Sequence, residues 1–159
     1  MPIALLRVDE RLIHGQVTVG WGGRLHPTHY VVVDDRIREN SWEQDLHRLG
    51  APLEASTEFA SVAEARDRLQ EWEGSSEVTV LLTRDLETML DLARGGLLRG
   101  RGVNLGGIHH SPGRRKVLPY LFLDAADEER ITALLAEGVE VTARDLPGSP
   151  GTEGDRLLR

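Results

Sequence analysis

Nine residues near the amino end carry most of the chemistry available to this chain: Asp9, Glu10, Arg11, Leu12, Ile13, His14, Gly15, Gln16 and Val17. A neutral imidazole has a free nitrogen lone pair, and an unperturbed pKa of about 6.5 leaves much of it unprotonated near neutrality. His14 could therefore attack a phosphorus centre. Arg11, three residues earlier, could reach phosphoryl oxygens with its planar fork. Gly15 would let the chain turn closely with no side chain between the backbone amides and an anion. Phosphoryl transfer passes through a loose transition state with charge on the equatorial oxygens, so positioning and oriented positive groups supply most of the catalysis, and no metal is demanded. On spacing alone, a histidine before a glycine in a strand-helix loop is more often a turn or surface residue.

Runs rich in Val, Ile and Leu alternate with segments of helical period, the pattern of an α/β domain with a mainly parallel sheet flanked by helices on both faces. A strand over Ile3 to Val8, a loop through Ile13 and a helix from Gly15 or Gln16 place His14 at a strand-to-helix switch. Such loops lie at the carboxyl ends of strands, where helix N-termini present unpaired amides to anions. A doubly buried strand spans His29 to Asp34, ended by Asp34 and Asp35. A helix over Ser41 to Arg48 and a short strand near Pro52 to Ala55 follow. Ser61 and Glu64 have capping-box spacing for a helix reaching about Trp72. Further strands are expected at Val78 to Leu82 and Val103 to Leu105, around a helix from Asp85 to Ala93 stopped by Gly95 and Gly96. Val117 to Leu121 reads as a strand interrupted by Pro119, hence an edge or a bend. A helix from Asp124 to Gly138 and a strand at Val139 to Ala143 close the domain, taken as residues 1–145. Residues 146–159, with Pro147-Gly148-Ser149-Pro150-Gly151, read as a flexible tail.

Composition narrows the function. The net charge of −7 opposes general attraction to nucleic acid or anionic lipid. The chain has no cysteine, which removes disulfides, thiolate metal sites and phosphocysteine chemistry. No apolar run approaches the roughly 20 residues of a membrane helix, and no secretory signal layout is present, so a cytoplasmic location is expected. Gly100 and Gly102 begin a dinucleotide-like pattern, but Leu105 stands where its third glycine should fall, so no nucleotide cofactor is expected. His109 and His110 are adjacent on a loop, poor geometry for sharing one metal ion, and a plain surface role is favoured. His26 and His29 read as turn and strand residues without a carboxylate partner, and His47 as a helix-face residue. Arg114, Arg115 and Lys116, with Arg99 and Arg101, form a local basic cluster, read equally as a solvated loop or as a docking site for an acidic partner.

The stretch from Arg7 to Val17, with Trp21 a turn later, resembles the active-site signature of enzyme IIB subunits of the mannose/sorbose sugar phosphotransferase family. The likeness continues through Val31 to Asp35, Val103 to Gly107 and Glu137 to Val141, covering the chain to about Asp145. It implies that His14 accepts a phosphoryl group from a phosphohistidine on a IIA partner and passes it to a sugar bound by membrane-embedded IIC and IID subunits. Arg11 matches the arginine expected to hold the phosphoryl group, Asp9 would help orient the loop, and Gly15 and Gln16 complete it. Asp35, Thr83, Asn104, Gly106 and Gly107 are candidates for the pocket rim, since they follow strand ends on the same edge. Gly22 and Gly23 fit the pattern less well and should shorten or fray the first helix. Two alternatives stay open: a regulatory phosphorelay on His14 without transport, and an inert binding module. The sugar, the phosphorylated ring nitrogen and any homo-oligomer also stay open.

Overall fold

A computed structural model describes residues 2–159. Strand β1 (Ile3–Val8) runs through the middle of a seven-stranded sheet ordered β3-β2-β4-β1-β5-β8-β9. Its partners are β2 (His29–Val33), β3 (Ser56–Ala60), β4 (Thr79–Thr83), β5 (Gly102–Leu105), β8 (Glu140–Ala143) and the short β9 (Thr152–Glu153). Every pairing is parallel except β8 with β9. Parallel strands need crossovers, and the alternation of apolar strand and helical segment supplies them.

Both faces of the sheet are covered, as expected from strands that read as continuous apolar runs. Leu6, Val8, Val31, Val33 and Leu81 face α4 (Val62–Gly74), α5 (Leu86–Ala93) and α6 (Ala125–Ala136), which contribute Leu69, Trp72, Met89, Leu92, Ile131 and Leu134. Leu5, Tyr30, Val32, Val80 and Leu82 point the other way and pack with Leu12, Ile13, Val17 and Ile37. Ile37 belongs to α2 (Asp35–Arg38), a single turn ahead of α3 (Ser41–Leu49), which buries none of its residues fully.

Helix starts are held by side-chain caps, the one at Ser61 as its spacing suggested. Ser61 and Glu64 exchange side-chain and backbone bonds as a capping box, and Asp124 does the same with Asp127. The Asp34 carboxylate accepts from the amides of Arg36 and Ile37, so the residue that ends β2 also caps α2. Gly95 (φ 77) and Gly96 (φ 78) end α5 in the left-handed region.

Four expectations are corrected. The strand placed near Pro52 to Ala55 lies at Ser56–Ala60 instead, because Pro52 to Ala55 forms a turn and residues 56–60 pair in register with β2. The Val117 to Leu121 strand is a hairpin of its own, β6 (Arg115–Leu118) and β7 (Leu121–Leu123), with Pro119 at the turn, where it has no amide to lose from a ladder. Gly22 and Gly23 do not fray the first helix. A π-helical stretch, Gln16–Trp21, runs straight into α1 (Gly22–Leu25), and a Cβ on Gly22 would come within 3.3 Å of the Tyr30 hydroxyl. Finally, residues 146–159 are not a structureless tail. Strand β9 pairs with β8, α7 (Gly154–Leu157) follows, and Leu157 is fully buried. That one apolar side chain, among so many prolines and glycines, supplies the burial that composition alone concealed.

Candidate active site

Register fixes what shares the carboxyl edge of the sheet. Val8 stands opposite Thr83 on one side and Leu105 on the other, and Leu105 opposite Ala143. The next residue of each strand therefore falls in one row: Asp9, Arg84, Gly106 and Arg144. The chain leaves β1 at the point where its neighbours are β4 and β5, a reversal of strand order of the kind at which open α/β sheets bind ligands.

Asp9 is fully buried and is the hub of the site. Arg7 Nη2 donates to its Oδ2 at 3.0 Å, Arg11 Nη2 donates to the same oxygen at 3.1 Å, and the Gly107 amide does so at 3.2 Å. The backbone amide and Nε of Arg11 donate to Oδ1 at 3.0 and 3.1 Å. His14 Nε2 lies 3.2 Å from Oδ2; it is buried, and it stands off the line of a well-formed hydrogen bond. Burial by itself would raise the Asp9 carboxyl, but the contacts with His14 and Arg11 and the charge of Arg7 outweigh it and hold the group well below the usual carboxylate range. Asp9 is an anion at any pH at which the protein works.

Behind that carboxylate sits Arg7, also fully buried. Its guanidinium donates to Asn104 Oδ1, to the carbonyls of Arg144 (2.9 Å) and Asp145 (3.2 Å), and more weakly to Gln16 Oε1 (3.5 Å). It also lies over the ring of Trp21, whose indole N–H donates to the Asp145 carbonyl at 2.9 Å. Gln16 Oε1 takes a second bond from Arg11 Nη2 at 2.9 Å. One connected network thus ties β1, the first helix, β5 and the end of β8 together.

The loop itself is shaped by Leu12, a buried residue at φ 57. A leucine in the left-handed region costs roughly 1–2 kcal/mol, offset here by burying its side chain against the Tyr30 face of the sheet. The Leu12 amide donates back to the Asp9 carbonyl, which closes the turn. His14 then sits where the first helix begins, and its carbonyl accepts from the amides of Val17 and Thr18 at 2.9 Å. The ring is 17% exposed, so the imidazole is partly shielded yet open on one side.

Gly15 is ordinary helical backbone (φ −54, ψ −39), so the turn does not need its freedom. A Cβ there would meet nothing within 4 Å, which leaves the approach beside His14 open. Gly106 and Gly107 are required by crowding. A Cβ on Gly106 would overlap Arg7 and Asp9, and one on Gly107 would lie 3.2 Å from Arg11 Nη2.

The structure brings together Asp9, Arg11, His14, Gly15, Gln16, Asn104, Gly106 and Gly107. Asn104, Gly106 and Gly107 back the Arg7–Asp9 pair, and Gly107 also borders the spot between Arg11 and His109. Two candidates stand apart. The Thr83 side chain is buried and donates to the Asp85 carbonyl, and Asp35 lines a separate cleft with Asp34, Arg84 and Asp91, accepting from the Val62 amide at 2.8 Å. Arg7 went unassigned, although an arginine inside the apolar run Ile3 to Val8 is itself a signal, since a buried guanidinium must find partners.

The other histidines resolve individually. His29 does have a carboxylate partner: its ring nitrogens meet Glu58 Oε2 at 2.8 Å and Thr79 Oγ1 at 2.9 Å, because β2 lies between the strands that carry them. His26 ends α1 at φ 51, and His47 stands 3.9 Å from Glu43 on a helix face. The basic residues do not make one patch, since Arg101 pairs with Glu73, Arg114 with Glu10 and Asp127, and Arg115 with Glu128. Among the described residues no group of three or more His, Cys, Asp or Glu side chains is arranged to hold a metal ion. None of their helices is long and apolar enough to cross a membrane.

Comparison with known proteins agrees with this fold. The model of the sorbose-subfamily IIB component of the phosphotransferase system matches residues 3–159. An N-acetylgalactosamine-specific phosphotransferase enzyme IIB component of Escherichia coli is 28% identical over 156 residues, spanning 98% of both chains. A sorbose-specific EIIB component of Lacticaseibacillus casei is 26% identical, covering 96% of this chain and 93% of its own. The crystal structure of the IIBSor domain of the Klebsiella pneumoniae sorbose permease superposes with a TM-score of 0.87 at 25% identity, covering 99% of this chain and 96% of that one. The chain belongs to the sorbose-subfamily IIB components of the phosphotransferase system, and is a sugar phosphotransferase subunit.

Proposed function

We propose that His14 is the phosphoryl carrier of this subunit, taking a phosphoryl group from a phosphohistidine on a IIA partner and delivering it to a sugar held by membrane IIC and IID partners. The observation that carries this reading is the placement of the His14 ring. Nε2 faces the buried, permanently ionised Asp9, so the carboxylate favours the tautomer with its proton on Nε2 and leaves the lone pair on Nδ1, toward the open side.

In that reaction the Nδ1 lone pair forms the new N–P bond while the donor imidazole nitrogen leaves with the electron pair of the old one. The Nε2 proton stays opposite Asp9, whose charge balances the phosphoimidazolium. Arg11 is 36% exposed, so its guanidinium is accessible to the equatorial oxygens that gather charge in the transfer. The amides that open the helix at Gly15 and Gln16 have no preceding turn to accept them and add positive dipoles. On delivery the N–P bond of His14 breaks with its electron pair returning to Nδ1, while a sugar hydroxyl oxygen forms the new O–P bond and gives up its proton to a base or to water.

The test supplies purified protein with phosphoenolpyruvate, the general phosphotransferase components and a IIA partner, then counts acid-labile phosphate. One equivalent is expected, and His14→Ala should carry none. Arg11→Ala should retain the fold and accept phosphate about a hundredfold more slowly. Labelling that persists in His14→Ala overturns the assignment.

A further inference from the structure

We propose that His109 is a second imidazole of the phosphoryl-transfer site, its Nε2 donating to an oxygen of the phosphoryl group as that group passes to and from His14. This rests on the reading of His14 as the carrier. Two adjacent histidines on a loop promised little, but the structure separates them. His110 packs edge-to-face on Phe122, with ring centroids 5.6 Å apart, and is turned toward the hairpin. His109 is turned to the active loop.

Glu10 sets that orientation. Its Oε2 accepts from the His109 backbone amide at 3.1 Å and lies 3.1 Å from His109 Nδ1. Its Oε1 accepts from Arg114 Nη1 at 2.9 Å, and the same Nη1 donates to the His109 carbonyl at 3.1 Å. Residue 109 is therefore clamped at its amide, its carbonyl and one ring nitrogen. Beneath it, the buried Ile108 anchors the loop by backbone bonds to Tyr120 and Phe122.

With Nδ1 beside the Glu10 carboxylate, the other nitrogen defines what the ring can do. His109 Nε2 lies 3.4 Å from the position that a Cβ on Gly107 would occupy, and Arg11 Nη2 lies 3.2 Å from that same point. The imidazole and the guanidinium thus flank one spot beside the loop, and Arg11 in turn touches Asp9, which faces His14. The ring is 55% exposed, so this edge is free to meet an incoming group. A ring with Nδ1–H on Glu10 accepts at Nε2 when neutral and donates there when cationic. Phosphoryl oxygens only accept, so the cationic form is the productive one. The charged and titratable groups around it are Asp9, Glu10, Arg11 and His14 from the first loop, His110 and Arg114 from its own, and Asp127 of α6 behind Arg114.

The experiment follows single-turnover transfer from a phosphorylated IIA donor in wild type, His109→Ala and His109→Gln. The glutamine amide offers a neutral donor near the Nε2 position. We expect His109→Ala to slow transfer about ten- to a hundredfold with unchanged donor affinity and unchanged thermal midpoint. His109→Gln should recover part of that rate. Wild-type rates in His109→Ala, or a His109→Gln rate no higher than that of His109→Ala, overturns the inference while leaving His14 as the carrier. A wild-type protein that accepts no phosphate removes the carrier reading itself, and this inference with it.

Discussion

Asp9 shows how much of an active site can depend on one group that never touches a substrate. It gathers Arg7, Arg11, the Gly107 amide and His14 around two oxygens, and its charge survives burial because those partners outweigh desolvation. Replacing it with asparagine leaves the fully buried Arg7 without its counter-ion, a change that should cost about 3–5 kcal/mol by denaturant unfolding at neutral pH. The pH dependence has a definite sign. Because the folded-state pKa is depressed, the contribution of Asp9 is complete above the unfolded carboxylate value of about 3.9 and fades as pH falls below it. The gap between wild type and Asp9→Asn should therefore be constant from pH 7 to about pH 5 and narrow under more acidic conditions. A gap that stays constant down to pH 2 would show that Asp9 is not held as an anion by the folded state. Residue by residue, His14, Arg11 and Asp9 were legible because they lie in one contiguous motif. Asn104 and Gly106 were read as rim from their place after a strand end, but their contact with Arg7 depends on the register of β1 against β5, ninety-odd positions apart in sequence, which no local pattern encodes.

At the scale of elements, periodicity and capping located most strands and helices, since doubly buried strands and Ser61 or Asp124 caps are local signals. The failures share a cause: short elements whose existence depends on what they meet. The β6–β7 hairpin forms because Ile108, Leu121 and Leu123 find cover beneath it, and β9 with α7 forms because Leu157 finds a slot against β8 and α6. That closing segment also bears on the site, since the Asp145 carbonyl just before it takes bonds from both Arg7 and Trp21. Leu157→Ala should lower stability by about 2–5 kcal/mol in equilibrium unfolding. An unchanged midpoint would mean that the last turn does not dock. The helix expected from Gly15 or Gln16 is present, but no sequence signal marked its first part, Gln16–Trp21, as π-helical. It places the Gln16 amide on Arg11 and Trp21 over Arg7 in one run of helix.

Across the whole molecule, a mainly parallel sheet with reversed strand order brings the loop after β1 between those after β4 and β5, so that Asn104, Gly106 and Gly107 meet the charged groups of the first loop. The fold was legible because apolar strand and helical segment alternate along the chain. The family match over residues 3–159 accounts for the tail as well, which the sequence motifs alone did not reach. The central claim is that His14 carries the phosphoryl group on the nitrogen turned away from Asp9. Nitrogen-15 NMR of the phosphorylated protein, with the histidine rings labelled, tests it most directly. We predict a single new phosphorus-coupled nitrogen, the Nδ1 of His14, with the Nε2 of that ring still protonated. Phosphorus coupling to Nε2 of His14, or to any of the other five histidines, would contradict the account.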